Sequence, residues 1–326
     1  MKKLKGSLMG IKVIKGGLLT TVQDLGRKGY RKDGIIVSGA MDTLALEIGN
    51  LLLGNDTTEA GLECTLLGPK LLFETGQLVA ITGGNLNPMV DDKPVKMWRP
   101  VFIPKGAVLS FGSAEAGCRC YLTVSGGFDL PKVLGSHSTY LKAGFGGYKG
   151  RALKNEDELS FKKAYEPKGA VFNWSIGLQL YPEFNDNEIR VMKGPEYELF
   201  TGQSAGDLFN AYYMITKEAD RMGYRLEGPA LLLTEPKEML SSAVTFGTIQ
   251  VTSNGSAILL MADHQTTGGY PRVLQVITAD LTKLAQMRSG QQIRFKLVTL
   301  AEARQAMLHI EMQLKQLKQT ITLKQI

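Results

Sequence analysis

Short runs of apolar and β-branched residues recur along most of the chain, separated by turn residues. Ile11–Ile14 and Leu18–Val22 flank Gly16-Gly17, which predicts a hairpin. Further strands are expected at 62–67, 70–73, 78–82, 101–103, 108–111 and 121–124. After a break they continue at 189–192, 224–227, 230–233, 247–252, 257–262, 272–277 and 292–297. Gly68-Pro69, Asp91-Asp92-Lys93-Pro94 and Pro104-Lys105-Gly106 supply turns between the earlier runs. Strands this short and closely set favour barrels or sandwiches over a parallel α/β sheet. The period changes to helical in two places. Residues 42–53 start at a capping Asp42, stop at Gly54 and carry the stripe Leu44, Ile48, Leu51, Leu52. A second helix starts near Thr299 with Glu302 completing a capping box, and Leu300, Ala303, Met307, Ile310, Leu314 and Leu317 step as a heptad seam. That seam suits either a terminal helix docked on its own body or a partner-binding surface.

Residues 163–188, with Pro167 and Pro182 and weak periodicity, read as a connection. Two domains follow, 1–185 and 186–326, as the length of 326 residues also suggests. The fold class is mainly β. A hydrophobic content of 44%, a charged content of 21% and 37 glycines against 12 prolines fit an ordered, turn-rich chain and exclude disorder. The net charge of +7 arises from the ends: Lys2, Lys3, Lys5, Lys12 and Lys15 at one, Lys315, Lys318 and Lys324 against Glu311 at the other, while residues 16–310 balance. A nucleic-acid face needs its cations clustered on the folded surface, so none is expected. No apolar run approaches a membrane span and no signal-peptide core follows the basic start, so the expected location is the cytoplasm. The spacing of Cys64, Cys118 and Cys120 suits neither zinc nor a disulfide scaffold, and no metal site is expected.

Candidate chemistry lies in four polar clusters. Gly202-Gln203-Ser204-Ala205-Gly206 matches a nucleophile elbow, but its β-dense surroundings lack the strand-to-helix setting, and it reads as a turn. Absence of any Gly-Lys dipeptide excludes a P-loop. The first cluster, Gln23-Asp24-Leu25-Gly26-Arg27 with Ser38-Gly39-Ala40-Met41-Asp42, leads into a helix N-terminus that could take an anion or simply be capped. In the second, Gly135-Ser136-His137-Ser138-Thr139 precedes Lys149 and Arg151, offering hydroxyls and cations to a carboxylate or phosphate. The third, Asp220-Arg221-Met222-Gly223-Tyr224-Arg225, would place Arg221 and Arg225 on one face if extended. The fourth, Asp263 through Pro271, sends a strand straight into Gln265-Thr266-Thr267-Gly268-Gly269-Tyr270, more polar groups than a connection requires.

In this order the motifs resemble those of the biotin-dependent carboxyltransferase family, which includes the C subunit of 5-oxoprolinase, allophanate hydrolase subunit 2 and antagonists of the sporulation kinase inhibitor KipI. They are Thr21-Val-Gln-Asp-Leu-Gly-Arg27, Ser38-Gly-Ala-Met-Asp42, Gly135-Ser-His-Ser-Thr139, Gly150-Arg151, Asp220-Arg-Met-Gly-Tyr-Arg-Leu226 and Gln265-Thr-Thr-Gly-Gly-Tyr-Pro271, within a likeness that covers residues 11–300. The resemblance implies two tandem cyclophilin-like β-barrels. It also implies an ATP-dependent 5-oxoprolinase that opens 5-oxoproline to glutamate, in which this chain is active only with two partners, a KipI-like B subunit and an A subunit. ATP, with or without Mg, would be held by the complex. Biotin is not expected on this chain, which has no Met-Lys-Met. Under this reading Asp263, Asp42 and Arg225 are the catalytic candidates. Ser38, Ser138, Thr139, Arg151, Arg221, Gln265, Thr266, Thr267 and Tyr270 bind substrate or anion. His137 stands where the family pattern has Arg, which makes a cationic contact there conditional on pH. A KipI-sequestering regulator and a carboxyltransferase served by a biotinylated carrier are the other readings.

Overall fold

The computed structural model describes residues 9–167, 174–177, 180 and 183–323. The chain folds as two compact units. One comprises residues 1–27, 42–182 and 313–326, and the other comprises 28–41 and 183–312. Part of the expected connection (168–173, 178–179, 181–182) lies outside the described residues.

The first unit contains β1 (Gly10–Lys15), β2 (Leu19–Gln23), α1 (Thr43–Leu52), β3 (Gly61–Thr65), β4 (Lys70–Phe73), β5 (Gln77–Asn85), β6 (Met89–Val90) and β7 (Lys93–Pro94). It continues with β8 (Pro100–Ile103), β9 (Val108–Ser110), β10 (Ala116–Val124) and β11 (Glu158–Ser160). These strands form a six-stranded sheet, β11-β1-β4-β9-β6-β7, and a five-stranded sheet, β2-β3-β10-β5-β8. Alternation in β1 turns Ile11 and Val13 inward to meet Leu71, Phe73 and Leu109. By contrast β5 and β10 are buried almost end to end, because α1 packs across them. The expected hairpin at Gly16-Gly17 does not form. β1 pairs with β4 and β11, whereas β2 pairs with β3 in the other sheet. Gly17 has φ +75°, and a Cβ there would lie 2.6 Å from the Leu67 carbonyl oxygen, so this glycine serves a chain crossing rather than a two-residue turn.

The second unit contains β12 (Glu188–Lys193), α2 (Gly202–Asn210), β13 (Tyr213–Ile215), β14 (Gly223–Glu227), β15 (Ser242–Ala243) and β16 (Thr248–Val251). It continues through β17 (Ala257–Leu260), β18 (Thr267–Gly268), β19 (Arg272–Val276), α3 (Leu281–Gln286), β20 (Gln292–Leu297) and the first half of α4 (Leu300–Leu323). Seven strands close a barrel in the order β12-β19-β16-β17-β14-β13-β20, and a parallel β12–β20 pairing completes the ring. Its interior is filled by Ile189, Val191, Tyr224, Leu226, Ile249 and Phe295, so it is a packed core rather than a pore.

Residues 230–233, expected to be a strand, make only a single bridge from Leu233 to Phe200. Their amides bond elsewhere: Leu231 N–H to the Gly255 carbonyl and Leu232 N–H to Ser204 Oγ at 2.8 Å. The Gly202–Gly206 motif is no turn either. It is the first turn of α2, capped by Thr201, whose Oγ1 accepts from Ser204 N–H, and Ser204 is buried. Thr299 and Glu302 form the expected reciprocal capping box. The heptad seam of α4 is not continuous: Leu317 is buried, while Leu300 and Met307 are exposed. Among the described residues no helix is long and apolar enough to cross a membrane.

Candidate functional site

In the second unit, β17 delivers Met261, Ala262 and Asp263 to the end of the barrel, and the chain then runs as a polar loop to β19. Asp263 is buried. Its Oδ2 accepts from Arg221 Nε at 2.9 Å, and its Oδ1 accepts from Arg221 Nη2 at 3.0 Å and from Ser38 Oγ at 2.6 Å. Arg221 Nη2 also donates to the Gly39 carbonyl at 2.5 Å. A forked guanidinium–carboxylate pair is the strong form of this contact, and burial makes each partner depend on the other. Ser38 and Gly39 both have left-handed backbones, φ +57° and +99°. For a serine this conformation costs ~1–2 kcal/mol, offset here by the two side chains that grip the segment. Arg221 is therefore a brace committed to Asp263 and Gly39, and the sequence-level expectation of a two-arginine clamp does not hold. Arg221 sits in a bend before β14, so strand alternation does not reach it. Arg225 lies on the strand with an exposed side chain that pairs with Glu218 at 2.8 Å.

Beyond Asp263 the loop is stapled at several points. Arg31 donates to the Val244 and Thr266 carbonyls, and β18 pairs with β15 through Ser242–Gly268 and Ala243–Thr267. Buried Gln250 donates to the Tyr270 carbonyl at 3.0 Å and accepts from Gln265 Nε2 at 3.3 Å. A Cβ on Gly268 would lie 2.7 Å from Gln250 Nε2, so a side chain there would press on the amide that holds the loop. The His264 ring is buried with Nδ1 at 2.5 Å from the Gln265 carbonyl, and since a carbonyl only accepts, Nδ1 carries the hydrogen and leaves Nε2 as the acceptor. Burial pulls its pKa below the ordinary imidazole value, so the ring is neutral. Tyr270, half-exposed, lines a cavity of about 760 Å³ with Leu231, Leu232, Leu233 and Met239. Asp263, Ser38, Arg221, Gln265, Thr266, Thr267 and Tyr270 thus belong to one loop and its support. Sequence reasoning missed Arg31; it placed His264 in the fourth cluster and Gln250 within the family-like motif Ile249-Gln250, but gave neither a role.

The first unit treats its expected site residues differently. The Asp24 carboxylate accepts from Ser136 Oγ at 2.7 Å, Ser138 Oγ at 2.5 Å, His137 N–H at 2.6 Å and Gly26 N–H at 2.8 Å. Thr139 Oγ1 donates to the Val22 carbonyl. Fully buried Arg27 donates to the carbonyls of Val133 and Ser138 and lies 4.7 Å from the centre of the Phe145 ring. The hydroxyls of Ser138 and Thr139 therefore hold the 135–139 loop to β2 and are not presented to a ligand. His137 is buried against the Pro131 carbonyl, and desolvation lowers its pKa. Arg151 forms a bidentate pair with Asp157 at 2.6 and 2.8 Å, which holds that carboxyl below the usual carboxylate range. Asp42 is the N-cap of α1, accepting from Ala45 N–H at 3.0 Å. Its own N–H donates to Tyr121 Oη, which donates to the buried Glu63 at 2.7 Å. Arg151 and Asp42 are structural in this geometry. Among the described residues no group of three or more His, Cys, Asp or Glu could hold a metal ion.

One chain thus carries a closed barrel and a two-sheet β unit, with a braced glycine-rich loop leaving the barrel end. Residues 33–297 match the family model described as "Carboxyltransferase domain, subdomain A and B", and the chain belongs to that family. More particular likenesses lie within it. The chain is 40% identical over 296 residues to the 5-oxoprolinase C subunit of Escherichia coli K12, covering 91% of this chain and 94% of the relative. It is also 40% identical over 301 residues to that of Haemophilus influenzae, covering 92% and 95%. The crystal structure of the K. lactis urea amidolyase superposes with a TM-score of 0.90 at 29% identity, over 97% of this chain and 20% of that one, so this chain spans about a fifth of that larger protein. The Kluyveromyces lactis urea carboxylase structure gives the same TM-score and identity, over 97% of this chain and 30% of that one.

Proposed function

We propose that this chain is the C subunit of an ATP-dependent 5-oxoprolinase, working in the cytoplasm with a KipI-like B subunit and an A subunit to open 5-oxoproline to glutamate. The observation that carries this reading is the 40% identity over nearly the full length of two proteins named as 5-oxoprolinase C subunits. The residues of this chain then divide into a working edge and its support. Gln265, Thr266 and Thr267 offer amide and hydroxyl groups to the lactam and carboxylate of the substrate. Neutral His264 supplies an imidazole Nε2 able to take up a proton. The Arg221–Asp263–Ser38 brace fixes the loop geometry, which matters because orientation contributes much of a barrier reduction. Opening a resonance-stabilised amide needs activation, which ATP supplies when bound. Around these two loops the residues do not fit a triphosphate: Arg221 and Arg151 face carboxylates, and Arg31 faces carbonyls. ATP is accordingly assigned to the partner subunits.

The test is 5-oxoproline-dependent ATP hydrolysis with glutamate detection, using purified chain mixed with candidate A and B subunits and with each omitted in turn. Glutamate formed only when this chain is present is the expected result. A stable complex that turns over no 5-oxoproline would overturn the assignment. The likeness to urea carboxylase would then favour carboxyl transfer to another substrate.

A further inference from the structure

The first half of α4 carries an apolar face that its own unit does not cover. Leu300 is 72% exposed, Met307 39%, Leu308 44% and Met312 59%. Residues 300–312 belong to the second unit and begin at the Thr299–Glu302 capping box, so the helix is firmly started there. At 100° per residue, these four side chains fall on one arc, and Arg304 and Glu311, both exposed, lie along its middle. Arg304 and Glu311 are seven residues apart. They therefore project in nearly the same direction, about 10 Å apart along the axis, with Met307 and Leu308 midway between them.

This spacing makes the face complementary to itself in one orientation only. Laid antiparallel about a two-fold axis between positions 307 and 308, Arg304 of each helix meets Glu311 of the other, twice over. The Met307 and Leu308 side chains of both copies meet at the centre. A parallel arrangement would instead oppose Arg304 to Arg304 and Glu311 to Glu311, and would also align the helix dipoles unfavourably. Neither residue enters an ion pair within the chain among the described residues. We propose that this face of α4 docks antiparallel on the same face of a second copy of the chain, in an isologous dimer set by the Arg304–Glu311 pairs. The contact is independent of the 5-oxoprolinase reading, because none of its residues belongs to the loops described above. A single pair of helices buries little surface, so the dimer is expected to be concentration-dependent and to weaken with added salt.

Sedimentation equilibrium of the full chain over a wide concentration range, at low and moderate salt, tests this directly. The expected result is a monomer–dimer equilibrium. Arg304→Glu alone, or Glu311→Arg alone, sets like charges opposite each other and should shift the dissociation constant at least tenfold towards monomer. The double exchange Arg304→Glu with Glu311→Arg should restore dimerisation. Both positions are exposed, so circular dichroism and melting temperature should stay at wild-type values throughout. A chain that is monomeric at every concentration overturns the proposal. So does a dimer indifferent to the single reversals, or one that the double exchange fails to recover.

Discussion

Asp263 and Arg221 show how a residue type alone misleads. Both were legible in the sequence as members of polar clusters, but their pairing joins positions 42 residues apart and depends on a barrel that brings β14 beside β17. Removing one partner leaves a buried charge, so Asp263→Ala should destabilise by about 3–5 kcal/mol in chemical denaturation. Replacing both, as Asp263→Ala with Arg221→Met, should cost clearly less than the sum of the two single changes. His264 and His137 bear on pH. Each is buried with its pKa below the ordinary imidazole value, so between that value and the depressed one the unfolded chain binds protons that the folded chain does not. Their contribution is complete above the ordinary imidazole pKa and is lost as pH falls below it. Melting temperature should therefore drop as pH is lowered from 7 towards 5, and a His264→Gln, His137→Gln double variant should flatten that slope.

Helices with strong local signals were readable from sequence: Asp42 capping α1 and the Thr299–Glu302 box opening α4 both involve residues only three apart. Asp42→Ala should cost about 1 kcal/mol, seen as a lower melting temperature. Strand existence was also readable, since β4 and β20 occupy the expected residues. Pairing was not, because Gly16-Gly17 carries the same local signal whether the next strand folds back or crosses to another sheet. The Ser138 and Thr139 hydroxyls illustrate the same limit: composition marked them as polar, but only the approach of Asp24 and β2 assigned them to the loop's own support. The loop ending at Tyr270 was readable as a site candidate from its excess polarity, whereas its brace and its staple to Gln250 were not. Gly268→Ala presses on the Gln250 amide and disturbs its hydrogen bond to the Tyr270 carbonyl. In the reconstituted complex it should lower kcat/KM on the order of tenfold to a hundredfold, with secondary structure retained.

For the whole molecule, the 5-oxoprolinase reading makes the chain one component of a larger catalyst. The purified chain alone should hydrolyse no ATP in the presence of 5-oxoproline, and a steady-state assay with and without the partner subunits checks this. Family membership and β-rich class were accessible from the order of short motifs, none of which is specific by itself. The exchange of residues 28–41 and 313–326 between the two units was not, because unit membership follows long-range packing and leaves no local signature.

The parallel register of β12 with β20, Glu188 opposite Arg294 through Val191 opposite Leu297, closes the barrel with its first and last strands. During synthesis, β12 must wait with a bare edge until β20 has emerged, and loop-closure entropy opposes that late pairing. An interrupted product ending before Gln292 would keep the unpaired N–H and C=O groups of β12 and β13 that β20 normally covers. Such fragments are the species that chaperones and proteases of the producing cell would be expected to meet.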